Sequence, residues 1–104
     1  MTEKDSLDQI QRKVDTWIAE HGGYWPPLSM LCAIMEELGE IAREINHLEG
    51  IKPKKYQNDS DLGEELADLL FSVICLSNHY EIDLAQNFEK ILLKYSKRDA
   101  KRFT

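Results

Sequence analysis

The chain has 104 residues, 42% of them hydrophobic, and 13 basic against 19 acidic side chains give a net charge of −6. That length supports one compact domain, residues 1–104, near the size at which a helical chain gains much of its core by oligomerising. The acidic balance argues against a binder of nucleic acid polymers. The longest apolar run, Leu69 to Leu76, is too short to cross a membrane, and nothing at the N-terminus resembles a signal peptide; a cytoplasmic protein is expected.

In chain order, Ser6 or Asp5 is placed to cap a first helix reaching about Glu20, with Leu7, Ile10, Val14, Trp17 and Ile18 at helical spacing. His21-Gly-Gly-Tyr-Trp-Pro-Pro27 then interrupts it. The paired glycines open backbone angles closed to other residues, and Pro27 suits the first position of a new helix. Tyr24 and Trp25 are thereby expected on display at a stiffened turn.

A second helix is predicted from Leu28 to about Leu48, with Met30, Leu31, Ile34, Leu38, Ile41 and Ile45 on one arc and Glu36, Glu40, Arg43 and His47 opposite. Glu37 falls at the edge of the apolar arc. A loop carrying Lys52, Lys54 and Lys55 follows. Asp61 with Glu64, or Ser60 one step earlier, signals the start of a third helix running to about Tyr80. Its middle, Leu66 to Leu76, is apolar almost all round, which predicts burial on most sides and places Asp68 in the least solvated part of the chain. Asp83 with Gln86 repeats the capping signature for a fourth helix from Leu84 to near Arg102. The fold class expected is all-α: four helices in a bundle whose core is completed by oligomerisation. Cys32 and Cys75 form no CxxC pair and read as small buried hydrophobes.

The chemistry sits in two acidic clusters, Glu36-Glu37-Leu-Gly-Glu40 and Glu64-Glu65-Leu-Ala-Asp68. Carboxylates three apart share a helix face, so Glu37 pairs with Glu40 and Glu65 with Asp68. Repelling pairs on two helices need a compensating partner, and four converging carboxylates make a site for a hard cation. Oxygen-only ligation points to Mg2+, with Mn2+ as a substitute, before zinc or copper. Glu44-x-x-His47 has the spacing of a di-iron site but lacks a second Glu-x-x-His on another helix.

At these residues the chain resembles the MazG-like all-α nucleoside triphosphate pyrophosphohydrolases. The likeness lies in Glu36-Glu37-x-x-Glu40 followed by Glu65-x-x-Asp68. It extends to Gly23-Tyr-Trp-Pro-Pro-Leu28, Leu38-Gly-Glu-Ile-Ala-Arg-Glu-Ile-Asn-His47 and Lys94-Tyr-x-x-Arg-Asp-x-x-Arg102, which look like the short, single-domain branch.

The resemblance implies Mg2+-dependent hydrolysis of a nucleoside triphosphate between the α and β phosphorus atoms, giving the monophosphate and pyrophosphate. Glu37, Glu40, Glu65 and Asp68 would hold the metal, with Glu36 or Glu64 orienting ligands or accepting a proton. Lys94, Arg98 and Arg102, at i, i+4 and i+8, form a basic stripe suited to the β and γ phosphates. Tyr24 and Trp25 are candidates to stack on the base, with Trp17 beside them, although Trp17 fits the core stripe of its helix better. The short chain and its broadly apolar helices predict a homodimer, or a tetramer built from two dimers, and the resemblance implies a site completed across the dimer. The competing reading is a non-catalytic dimeric helical interaction module whose acidic faces only solubilise it.

Overall fold

Ser6 opens the first helix with a reciprocal cap: its Oγ accepts from Gln9 N (3.1 Å) while its own N–H donates to Gln9 Oε1 (2.7 Å). The computed structural model describes residues 3–51 and 61–98, and four helices account for most of them: α1 (Leu7–Glu20), α2 (Pro27–Leu48), α3 (Leu62–His79) and α4 (Leu84–Arg98). The described residues contain no strand, and the fold is all-α as the sequence predicts.

Each boundary has a local cause. Gly22 and Gly23 turn the chain with φ of +104° and +89°, a region closed to most side chains, and Gly23 N returns to Ile18 O at 2.9 Å. Pro26 and Pro27 then start α2, where the missing N–H costs nothing. Asp61 caps α3 through Oδ1 to Glu64 N (2.7 Å), and Asp83 Oδ1 accepts from Gln86 N (3.0 Å) at the head of α4. Ser60, Lys52, Lys54, Lys55 and Arg102 lie outside the described residues.

α2 packs along α3, α1 packs on α3, and α4 rests on α1. The core gathers Val14, Met30, Ile74 and Cys75, with Ile10, Ile18, Tyr24, Leu76 and Leu84 against it. It sits toward the C-terminal half of α3, so the N-terminal half of that helix is left to carry the acidic cluster.

Three expectations from the pattern are corrected here. Within one chain the middle of α3 is not enclosed: Leu66 and Leu70 are each 48% exposed, and Asp68, expected to be desolvated, is exposed. On α2, Leu31, Met35, Leu38 and Ile45 also face outward. Helical periodicity identifies an apolar face but not whether the same chain supplies its cover. Cys75 is buried as expected, whereas Cys32 is exposed. No helix among the described residues is long and apolar enough to cross a membrane.

Candidate active site

Where α2 runs beside the start of α3, carboxylate oxygens of Glu37, Glu65 and Asp68 come within 4.8 Å of one another. Glu65 is buried, Glu37 half-buried and Asp68 exposed, so the group descends from the helix interface to the surface. One oxygen, Oε2 of Glu37, is buried with no hydrogen-bond partner. Its nearest polar company is other carboxylates, and two ionised carboxylates have no proton to share. Burial pushes the Glu37 carboxyl above its ordinary range, the adjoining Glu65 carboxyl reinforces the shift, and the charges of Asp68, Glu65 and Glu40 add to it.

An orphaned buried oxygen in an all-oxygen donor set fits a hard divalent cation: such an ion would satisfy the oxygen and offset the repulsion together. Glu40, the fourth ligand expected from spacing, stands outside this trio. Its carboxylate pairs with Arg43 at 3.3 Å, one turn along the same helix face. Proximity in sequence put Arg43 there, and an ion pair competes with ligation. Glu64 is exposed at the head of α3, where its N–H is taken up by the Asp61 cap.

Two of the trio, Glu37 and Asp68, line a cavity of about 520 Å³ together with Glu36, Trp17, His21, Tyr24 and Trp25, while Glu65 lies outside its lining. All three aromatic residues singled out from the sequence therefore meet the acidic cluster in one cavity. Trp17 is not core: it is half exposed, stacks on His21 with centroids 4.0 Å apart and 18° between planes, and receives Phe71 edge-on at 5.9 Å. Trp25 is 64% exposed. Tyr24, by contrast, is not displayed. Its ring packs on the core and its hydroxyl donates to Asp15 (2.7 Å) and accepts from Asn78 (3.0 Å). Among the described residues none from α4 lines the cavity; Arg98 lies over the Tyr95 ring at 4.8 Å on its own helix.

The C-terminal three quarters of the chain, residues 26–103, match the profile of the MazG nucleotide pyrophosphohydrolase domain. The chain belongs to the MazG nucleotide pyrophosphohydrolase family. Over its whole length it is 42% identical to YpjD of Bacillus subtilis strain 168, an uncharacterized protein of which it covers 95%. The crystal structure of B. subtilis YpjD, provisionally described as a pyrophosphatase, superposes with a TM-score of 0.83 at 38% identity, over 94% of this chain and all of that one. A second crystal structure, the Bacillus-conserved MazG protein, a nucleotide pyrophosphohydrolase, gives 0.77 at 35% identity over 90% and 93% of the two chains. Membership in this MazG family identifies a hydrolase of pyrophosphate bonds, and the acidic trio is a group of carboxylates that could hold a metal ion.

Sequence reasoning missed three polar residues. Gln11, Glu44 and Ser77 are buried at 8%, 5% and 7% exposure. Gln11 and Ser77 sit among polar and apolar neighbours without a motif to mark them. Glu44 does continue the i, i+4 line from Glu40, a signal that was available.

Proposed function

We propose that the protein is a Mg2+-dependent nucleoside triphosphate pyrophosphohydrolase that cleaves between the α and β phosphorus atoms, releasing the monophosphate and pyrophosphate. The observation that carries this reading is the shared cavity: aromatic surface for a base and two carboxylates of the cation-ready trio, Glu37 and Asp68, line the same roughly 520 Å³, with Glu65 in reach of both.

Glu37, Glu65 and Asp68 would hold the ion, with Glu40 able to join by releasing Arg43. When bound, Mg2+ neutralises charge on phosphate oxygens and makes water a better nucleophile at neutral pH. Glu36, in the cavity but outside the trio, is the better placed of the two candidates to accept a proton; Glu64 is the alternative. Trp25 and Trp17 offer faces for the base, and Tyr24 offers its ring only, because its hydroxyl is already engaged.

Lys94, Arg98 and Arg102 are assigned to the β and γ phosphates, which carry more charge as pyrophosphate leaves. With no α4 residue lining the cavity of its own chain, that stripe is expected from a second copy, in a homodimer or a dimer of dimers. Uncovered surface supports the assembly. Leu31, Met35 and Leu38 on α2, Leu66 and Leu70 on α3, and Phe88 and Leu92 on α4 are among the apolar side chains left open.

A non-catalytic helical adaptor would explain the apolar faces equally well. Exposure of Asp68 removes one argument against it, but a buried Glu37 oxygen without a partner has no use in an adaptor. Hydrolysis in 18O-labelled water separates the possibilities: the label is expected on the nucleoside monophosphate. Label in orthophosphate, with a nucleoside diphosphate as product, would overturn the α–β assignment. No turnover of any ribo- or deoxynucleoside triphosphate would favour the adaptor.

A further inference from the structure

Behind the cavity, a chain of hydrogen bonds joins three helices and two turns. Gln11, buried on α1, uses its whole amide: Nε2 donates to Asn78 Oδ1 (2.8 Å) and Ile82 O (2.9 Å), and Oε1 accepts from Leu84 N (3.0 Å). Asn78, near the end of α3, donates through Nδ2 to Gln11 O (2.9 Å) and to the Tyr24 hydroxyl (3.0 Å). That hydroxyl passes its own proton to Asp15 Oδ1 (2.7 Å).

Backbone partners fix the direction of every bond. A carbonyl only accepts and an N–H only donates, so neither amide can be flipped without losing a bond, and Tyr24 must accept from Asn78 and donate to Asp15. Tyr24 itself lines the cavity, next to Trp25. Asn78 and Asp15 line none of it.

We propose that Asn78 is a positioning residue for the nucleotide: with Asp15 it clamps the Tyr24 hydroxyl, and thereby sets the Tyr24–Trp25 wall of the cavity against which the base packs. The inference rests on the nucleotide reading above. Through Gln11 the same clamp ties that wall to the α3–α4 turn, where Glu81 holds a left-handed φ of +56°. The wall is thus registered against the helix that carries Glu65 and Asp68, and base and triphosphate are held in one frame.

The test uses Tyr24→Phe, which keeps the ring and removes only the hydroxyl, and Asn78→Ala, alone and combined, in the full chain. In the nucleotide-free protein both single variants should shift the NMR signal of the Trp25 indole N–H in the same direction, and the double variant should add nothing. In kinetics, Asn78→Ala should raise KM by roughly 3–10-fold, the worth of one lost hydrogen bond, with kcat held within about twofold. Tyr24→Phe should raise KM similarly, and the two effects should not add. An unmoved Trp25 signal, or additive changes in KM, would overturn the clamp. So would a fall in kcat that merely follows lost folded fraction in thermal melts. If the wild type hydrolyses no triphosphate, the functional reading fails by itself, and the Trp25 signal still decides whether the clamp exists.

Discussion

Two polar clusters share helix α3 and are built on opposite terms. Toward its C-terminal end, Asn78, Gln11, Tyr24 and Asp15 satisfy one another through a directed run of hydrogen bonds. Near its start, Glu65 and Asp68 meet Glu37 in a group of like charges that leaves a buried oxygen without a partner. A satisfied network rigidifies a fold, whereas an unsatisfied one costs stability and implies that something else supplies the partner. The same helix therefore holds structure at one end and exposes a need at the other.

The contrast can be broken most sharply at the acidic end. Asp68→Asn should lower turnover by about 100-fold or more while the far-UV circular dichroism stays helical, since an exposed side chain supports no packing. Steady-state rates with Mg2+ check it. Glu40→Gln should cost less, because its carboxylate already has Arg43, and equal losses would put Glu40 among the ligands after all.

At the other end, Gln11→Ala should destabilise by about 2–3 kcal/mol, read from urea unfolding, because it orphans Leu84 N–H, Ile82 O and Asn78 Oδ1 together. A loss near zero would remove the distinction between the two clusters. Glu37→Gln should act with the opposite sign. In chelated protein it should raise Tm, by removing a repelled, desolvated charge. It should also abolish the rise in Tm expected of the wild type if Mg2+ binds only the folded state.

The smallest effect is one of pH. Burial, the bond to Asp15 and the Asp15 charge push the Tyr24 phenol up to about 12, against 10 for an ordinary tyrosine. The folded state thus holds this proton more tightly than the unfolded state. Its contribution is fully present below about pH 10 and is lost as pH rises toward about 12. Tyrosinate absorbance should show one late-titrating residue, and Tyr24→Phe should flatten that part of the stability curve.

Local signals carried the helices. Ser6, Asp61 and Asp83 act as caps through side chains that reach three residues ahead, and the Gly-Gly and Pro-Pro pairs fix a turn by backbone sterics alone. Such contacts lie within a few residues, so sequence contains both partners. The acidic site was legible for a similar reason: Glu65 and Asp68 lie one turn apart on one helix, and the repeat on α2 marked Glu37 as their counterpart.

What sequence could not settle are the contacts between distant positions. That Asp68 is exposed and that Trp17 faces a cavity depend on which helix faces meet, and periodicity is silent on that. The Gln11–Asn78–Tyr24 chain spans 67 and 54 residues in sequence and leaves no periodic trace, because each member is a single polar residue on an otherwise ordinary helix or turn. Sequence alone determined four helices and a carboxylate pattern suited to a hard cation. Tertiary structure decided which carboxylates converge and what holds the facing wall in place, since both are set by packing between helices and not by the order of residues within one.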